Sequence, residues 1–265
     1  MKNVAFIWLG ILWLLTVLPV MGQETVVNNA FKTGERLEYR VYYHSGVGNL
    51  TAGEAILTVK DWSEKYTTDE KTVYHFTGEG NSLGLFNFFF KVRDKFQSFA
   101  DKQTLLPYVF LRETREGKFE MDDKVTFNRE KGESVSLSET KQIPDNVHDI
   151  ISALYYMRTL SVSDFDADSM FQINFFLDDS VYTSAVKYMG TGHLKTKWGK
   201  IRCLKFAPMM ATGEVFAEKY PMFVWVSDDE NHVPIMGESE VVVGSVKMEL
   251  IHYSGLATPL DFSQK

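Results

Sequence analysis

At positions 35–44 the chain reads Glu35-Arg36-Leu37-Glu38-Tyr39-Arg40-Val41-Tyr42-Tyr43-His44. From Leu37 onward an apolar or aromatic side chain stands at every second position, and the first intervening positions carry charged side chains. Because successive side chains of a strand point to opposite faces of a sheet, this alternation predicts a strand with one buried and one solvated face.

The same alternation extends over most of the chain. It predicts further strands at 52–59, 72–79, 88–100, 108–114, 118–128, 133–140, 170–177, 181–189, 193–198, 200–208, 216–227, 233–243 and 245–253. The polar stretch 133–140 is typical of an edge strand. So many strands must curl or split, because a flat sheet would leave its edges and one apolar face exposed. The sequence therefore predicts a mainly β fold, with a curved antiparallel sheet that forms an open or flattened β-barrel.

The pattern changes once, after the stop-and-cap sequence Pro144-Asp145-Asn146. From there one side chain in every three or four is apolar, with one arginine at the end: Ile150, Ile151, Leu154, Met157 and Arg158. This spacing predicts one internal amphipathic helix at about 146–160, capped by Asp145 or Asn146, that plugs or covers the concave side of the sheet. No linker flanks the helix, so we expect a single β-rich domain over 23–265, with its core at about 31–253.

The first 22 residues have the layout of a secretory signal peptide. Lys2 precedes an apolar run over 4–20, and compact residues lead up to Gly22. Cleavage near Gly22-Gln23 would release a soluble periplasmic or extracellular protein with no transmembrane span. Because Gln23 stands where a lipoprotein has its acylated cysteine, the chain is not a lipoprotein. An uncleaved membrane anchor is the alternative, since about 20 apolar residues span a bilayer.

Composition narrows the classes of function. The net charge is −7 and the acidic residues are scattered, which argues against a surface for nucleic acid or an anionic membrane. The single cysteine, Cys203, excludes an internal disulfide, and its alternating surroundings predict a buried thiol. The six histidines lack metal-ligand spacing, and no nucleotide-binding or catalytic-serine motif is present. We therefore expect no metal, no cofactor and no catalytic set.

Two features suggest a binding site. The stretch 83–90 is apolar on both faces, and Asp94 stands on the apolar face of the strand predicted at 88–100. Arg158 would be a suitable partner for a buried carboxylate. Ordinary core packing and an ion pair that locks helix to sheet are the structural alternatives. The candidate ligand-binding residues are Phe86, Phe88, Phe90, Asp94, Tyr155 and Arg158.

Several segments together resemble a known family. They are 31–39, 90–94, 149–158, 225–229, 233–235 and 243–245. In order and spacing they are similar to the exported bacterial family called domain of unknown function 3108. The resemblance implies an envelope protein of Gram-negative bacteria, similar in shape to open β-barrels that carry lipids or lipoproteins. It implies no catalytic residues, and likeness of fold does not establish function.

Three hypotheses about function follow. The leading one is a non-catalytic envelope protein that holds an apolar ligand or acyl chain beside helix 146–160. The second is an envelope assembly or interaction protein with a packed core and an exposed aromatic patch instead of a pocket. The third is an enzyme, which would need a cleft where Asp94, Arg93, His75 or Asp228 converge with shifted pKa values.

Overall fold

The structure is a computed structural model that describes residues 25–45, 48–62, 73–162, 166, 168–209, 222–240 and 244–263. The predicted signal peptide, its cleavage point and the first half of the strand predicted at 216–227 lie outside these residues.

The described residues form a mainly β fold with two helices. The strands are β1 Arg36–Ser45, β2 Gly48–Trp62, β3 Val73–Ser82, β4 Arg93–Asp101, β5 Pro107–Glu116, β6 Phe119–Asn128, β7 Glu133–Val135, β8 Thr140–Gln142, β9 Val147–Asp149, β10 Met170–Leu177, β11 Ser180–Thr196, β12 Gly199–Pro208, β13 Met222–Ser227, β14 Pro234–Glu240, β15 Ser245–Ser254 and β16 Phe262–Ser263. The helices are α1 Gly84–Phe89 and α2 Ile150–Arg158.

All of these strands belong to one sheet. Its order is β8-β7-β6-β5-β4-β3-β2-β1-β15-β14-β13-β12-β11-β10-β9, and β16 pairs with β12. Neighbours are antiparallel except at the end, where β9 runs parallel to β10. The β1–β15 ladder, in which Leu37 lies opposite Tyr253, joins the start of the described chain to its end. The predicted open, curved antiparallel sheet is confirmed.

The two ends of the sheet approach each other without a hydrogen-bonded ladder between them. Across this seam Arg112 of β5 forms a 2.6 Å ion pair with Asp178 of the β10–β11 turn. Phe127 of β6 packs edge-on against Phe176 of β10, with ring centroids 5.9 Å apart. Side-chain contacts thus take over where strand pairing stops, which leaves the barrel open.

Helix α2 begins four residues later than predicted. Asp149 caps it: one carboxylate oxygen accepts hydrogen bonds from the amides of Ile151 and Ser152, each at 2.8 Å. The Ser152 hydroxyl in turn accepts from the Asp149 amide, which completes a capping box. The predicted caps Asp145 and Asn146 were wrong, because the residues that follow them pair with β10 as strand β9.

The helix packs inside the sheet and organises one of two main cores. Tyr155 stacks on Phe76 of β3 at 4.1 Å between centroids and meets Phe31 edge-on at 4.9 Å. A second core lies under β1, β12, β14 and β15 and includes Cys203. Burial raises the pKa of the Cys203 thiol to about 12, so the predicted inert, buried cysteine is confirmed.

Other predicted bounds also needed correction. The strand predicted at 88–100 starts only at Arg93, because 84–89 form helix α1. The predicted edge strand at 133–140 is two short strands, β7 and β8. The strands predicted at 181–189 and 193–198 are one strand, β11, whose register shifts between Tyr188 and Thr191. Gly190, with φ +97°, makes this bulge rather than a turn.

Candidate functional site

The structure separates the six predicted ligand residues into two groups. Phe86, Phe88 and Phe90 lie on or next to α1. This helix connects the last residue of β3 to the first residue of β4, at one mouth of the open barrel. Asp94 follows them at the start of β4, where its carboxylate accepts a 3.0 Å hydrogen bond from the Arg115 amide. Tyr155 and Arg158 are buried on α2. The six residues therefore do not line one common pocket.

Arg158 forms its ion pair with Glu35, not with Asp94 as the sequence suggested. Its two terminal nitrogens lie 2.6 and 2.8 Å from the two Glu35 carboxylate oxygens, and the two side chains are 3% and 0% exposed. Bidentate geometry of this kind is the strongest arrangement for such a pair. The Asp94 carboxylate instead accepts from the Arg115 amide on β5, so the predicted partner was wrong. The buried pair that exists ties α2 to the segment just before β1.

The remaining Arg158 donors are also used. Nε donates to the Asn231 carbonyl and Nη2 to the Ala30 carbonyl, each at 3.1 Å. The guanidinium lies over the rings of Phe31 and Tyr155, 5.5 and 5.3 Å from their centroids. Arg158 therefore ties the segment before β1, helix α2 and the β13–β14 loop together, and its guanidinium has little capacity left for a ligand.

An apolar cavity of about 110 Å³ lies on the side of α2 that faces β10 to β14. Leu154 and Met157 of the helix form one wall. Five neighbouring strands, β10 to β14, form the opposite wall with Phe171, Val186, Phe206, Pro208, Val224, Val226 and Pro234. Arg158 and His232 are the polar side chains that reach this lining.

His232 closes the cavity at the end of α2. Its Nδ1 lies 2.7 Å from the carbonyl oxygen of Arg158, and its backbone has the left-handed φ of +43°. The loop that holds it is braced by Asp229, whose carboxylate accepts from the Ser227 hydroxyl at 2.8 Å and the Asn231 amide at 2.9 Å. A non-glycine residue in this conformation persists only where its surroundings over-determine it.

Two larger, more polar pockets adjoin the cavity. One, of about 580 Å³, is lined by His148, Tyr156 and Asn174 and shares Leu160 with the cavity. The other, of about 560 Å³, is lined by Arg202 and Asp228 and shares Val162 and His232 with it. Residues 160–162, which follow α2, thus stand between the apolar cavity and both polar pockets.

Two ionisable side chains beside the first polar pocket, His148 and Asp149, have strongly shifted pKa values. Burial, with the nearby charge of Arg129, lowers the pKa of His148 to about 3, so this histidine is neutral. Its ring stacks on Tyr156 at 4.7 Å. Burial raises the pKa of the Asp149 carboxyl to about 6, against the opposing effect of its hydrogen bonds from Ser98, Ser152 and Ile151.

The residues that an enzyme would have needed lie apart. Nε2 of His75 is 3.1 Å from the Gln97 side-chain oxygen, and Asp228 pairs with Arg202 at 2.7 Å. The Asp94 carboxylate accepts instead from the Arg115 amide on β5. Among the described residues no group of three or more His, Cys, Asp or Glu side chains is arranged to hold a metal ion.

The family described as Protein of unknown function (DUF3108) matches this chain over residues 38–251. The chain belongs to this family. A solved structure similar to this DUF3108 protein is the crystal structure of a β-barrel-like protein of domain of unknown function DUF1849 from Brucella abortus. The TM-score is 0.53 at 11% identity, over 86% of this chain and 99% of that chain, so the likeness concerns the fold alone. A search of curated proteins finds no match.

No helix in the described ranges of the DUF3108 chain is long and apolar enough to cross a membrane.

The site contains one feature that the sequence signals but that was not predicted. Glu35 has the same parity as Leu37 and Tyr39, so the alternation already places its carboxylate on the buried face. The cavity itself has no local signal, because its walls come from helix α2 and five strands.

Proposed function

We propose that this protein is a non-catalytic component of the cell envelope that holds an apolar ligand or acyl chain inside its curved sheet. The observation that carries the proposal is the apolar cavity between α2 and strands β10 to β14. The signal-like leader supports an exported location, with residues 1–22 removed and 23–265 acting as one domain. Apolar small molecules or lipids are the proposed partners, and nucleic acid is not.

The size of the cavity sets the kind of ligand. An engineered cavity of about 150 Å³ lined by apolar side chains binds benzene. The present cavity is somewhat smaller, at about 110 Å³. It therefore suits one ring or the end of a single alkyl chain rather than the two chains of a phospholipid. Ligand pockets in general are concave and mostly apolar, with few polar groups.

The expected affinity follows from the same estimate. Each buried methylene contributes about 0.8 kcal/mol, so four to six methylenes contribute about 3–5 kcal/mol. That alone corresponds to a dissociation constant in the millimolar range. Tighter binding needs contacts with the rest of the ligand. We place its polar part in one of the adjoining pockets, because the Arg158 guanidinium is occupied by Glu35, Ala30 and Asn231.

Tyr155 and Arg158 fix the position of helix α2, which forms one wall of the cavity. Tyr155 packs α2 against Phe76 of β3, and the carbonyl of Arg158 positions His232 at the rim of the cavity. Tyr155 is a positioning residue. Arg158 reaches the lining as Met157 and Phe206 do, but its guanidinium is held by Glu35, Ala30 and Asn231.

Titration calorimetry with a series of straight-chain fatty acids tests the proposal. Affinity should rise with each methylene and level off once the cavity is filled. The variant Val224→Phe fills the cavity and should weaken binding at least about tenfold, a change of about 1.4 kcal/mol. Val135→Phe, on the exposed strand β7, is the matched control and should bind as the wild type does. Absence of binding at every chain length, or equal binding by Val224→Phe, would overturn the proposal.

A second candidate function has its own observation. Several large apolar side chains on α1 are exposed, which favours an interaction surface. None of the cavity's lining residues comes from α1, β2 or β3, so the two functions do not compete for the same residues.

A further inference from the structure

Helix α1 presents an unusual surface. None of its residues is buried. Leu85, Phe88 and Phe89 are 65%, 82% and 79% exposed, and Phe90, which follows the helix, is 51% exposed. Single exposed apolar residues are ordinary, but a contiguous apolar patch on a protein surface marks a site of interaction.

The helix is held in place while these side chains point outward. Its N-terminal side is attached to β2 by a 2.8 Å hydrogen bond from the Leu83 amide to the Ala52 carbonyl. Phe86 turns inward and meets the Tyr43 ring edge-on at 5.6 Å. The Ser82 hydroxyl donates to the Asn87 side chain at 3.2 Å. The outward aromatic residues are therefore carried on a fixed base.

Neighbouring turns enlarge the patch. Leu50 at the start of β2 and Phe119 at the start of β6 are also exposed. Both strands begin at the mouth of the barrel that carries α1. Phe90 lies against the β5–β6 turn so closely that a Cβ atom at Gly117 would come within 2.9 Å of its ring. We call this set the α1 tip: Leu50, Leu85, Phe88, Phe89, Phe90 and Phe119.

The segment that carries helix α1 is basic although the whole chain is acidic. Residues 83–93 contain no Asp or Glu but include Lys91 and Arg93. Lys118 lies in the β5–β6 turn beside them. Lys91 and Lys118 are exposed, and neither forms an ion pair with any residue that the structure describes.

The nearby acidic groups are engaged with one another or with arginine. Arg115 pairs with Asp122 at 2.7 Å and with Glu120 at 3.8 Å. Asp94 accepts from the Arg115 amide, and burial together with Asp94 raises the pKa of Glu116. Charges act over about 8 Å at physiological salt, so Lys91 and Lys118 act on a surface that touches the tip more directly than the distant acidic residues behind the net charge of −7. The argument against an anionic membrane, which rested on net charge, does not hold at this end of the molecule.

We propose that the α1 tip docks the protein on a lipid bilayer that contains anionic lipid. Phe88 and Phe89 enter the boundary between headgroups and acyl chains, and Lys91 and Lys118 contact the headgroups. Exposed aromatic residues with flanking lysines are the combination that interfacial membrane helices use. A bilayer fits better than a peptide partner, because none of the three cavities described above is lined by a residue of the tip.

This inference goes beyond the ligand site and does not depend on it. A protein could use the tip whether or not its cavity is filled. If both hold, the tip would bring a carrier of apolar ligands to the surface from which those ligands come.

Vesicle flotation tests the docking. The protein is purified from the exported fraction of an expressing bacterium. It is mixed with vesicles of phosphatidylethanolamine and phosphatidylglycerol, or with vesicles of phosphatidylcholine alone. The wild type should float with the anionic vesicles, and the double variant Phe88→Ser/Phe89→Ser should bind at least about tenfold more weakly. All variants share one N-terminus, so any contribution of the leader cancels in the comparison.

Two further variants make the test specific. Lys91→Glu/Lys118→Glu should bind the anionic vesicles about tenfold or more weakly, at about 1 kcal/mol per lysine lost, and should leave binding to phosphatidylcholine unchanged. The control Val27→Ser/Leu137→Ser removes two equally exposed apolar side chains elsewhere and should bind normally. Circular dichroism melting shows that each variant is folded.

Three results would overturn the proposal. One is a wild type that does not float with anionic vesicles. The second is a folded Phe88→Ser/Phe89→Ser variant that floats as well as the wild type. The third is a wild type that elutes as a dimer in gel filtration, becomes monomeric in that variant and ignores vesicles, because the tip would then join two copies of the chain.

Discussion

Helices α1 and α2 are both short and both carry several large apolar side chains, yet α1 lies on the surface and α2 is buried in the barrel. The difference lies in their polar groups. Helix α2 starts at a complete capping box and ends at Arg158, which reaches Glu35 on the opposite side of the core. Helix α1 has no side-chain cap and no charged residue in its first or last turn. Polar bonds to distant elements, more than apolar content, distinguish the buried helix from the exposed one.

Removing the ion pair that holds α2 should have the largest effect. Arg158→Leu leaves the Glu35 carboxylate buried without a partner and should lower the free energy of unfolding by about 3–5 kcal/mol in urea denaturation. The double variant Glu35→Leu/Arg158→Leu should recover much of that loss, since no charge is then left unpaired.

A surface pair provides the control for this prediction. Arg202 pairs with Asp228 at 2.7 Å, but its side chain is 63% exposed. Arg202→Leu should therefore cost about 1 kcal/mol or less. If Arg158→Leu cost no more than this, the account of how α2 is anchored would be wrong.

The second effect depends on pH and concerns His148, just before α2. Its pKa is about 3 in the folded protein, below the ordinary value of 6.5, because of burial and Arg129. The unfolded chain therefore binds the proton first, and stability is lost as pH falls from about 6.5 towards 3, by up to about 1.4 kcal/mol per pH unit.

Protonation of Asp149 changes the free energy of unfolding in the opposite direction and partly masks the effect of His148. Its folded pKa of about 6 lies above the ordinary 3.8, so the folded state binds the proton first between these values and gains stability as pH falls. The useful quantity is therefore a difference. Wild type should lose stability relative to His148→Gln as pH is lowered from 6.5 to 4, in chemical denaturation at each pH. A constant difference would show that His148 is not buried neutral.

The third effect tests the cap itself. Asp149→Ala removes the acceptor for the Ile151 and Ser152 amides, and should destabilise the protein by about 1–2 kcal/mol, in the upper range for N-caps. Asp149→Asn keeps an acceptor oxygen and should lose less. Equal losses for the two variants would indicate that the charge, rather than the cap, matters.

The smallest effect on stability should come from α1. Phe88→Ser/Phe89→Ser changes two exposed side chains and should alter the free energy of unfolding by no more than about 0.5 kcal/mol. A loss of several kcal/mol would mean that the α1 tip is part of a core, and the contrast between the two helices would disappear.

The two helices also mark where sequence-based prediction succeeds. Strand β10 was predicted at its observed bounds, because alternation and the Asp178-Asp179 turn delimit it on one side. The α1 segment failed because apolar side chains occupy nearly every position from Leu83 to Phe90, which leaves no period to distinguish strand from helix. In this segment the density of apolar residues did not indicate burial, since Leu85, Phe88 and Phe89 are exposed.

The partner of Arg158 shows a second limit. Alternation gives the face on which a side chain stands, so Glu35 and Asp94 were both visible as charges on apolar faces. It does not give which of the two charges lies near a helix that begins more than 50 residues away from either. The cavity walls cannot be read from a local pattern at all, because they depend on how helix α2 and five strands meet.

Native mass spectrometry of the protein purified from an expressing bacterium tests the central claim most directly. The account predicts a bound single-chain amphiphile that lauric acid displaces and that the folded cavity-filling variant Val224→Phe does not carry. Wild-type protein with no adduct, both as purified and after incubation with lauric acid, would contradict it.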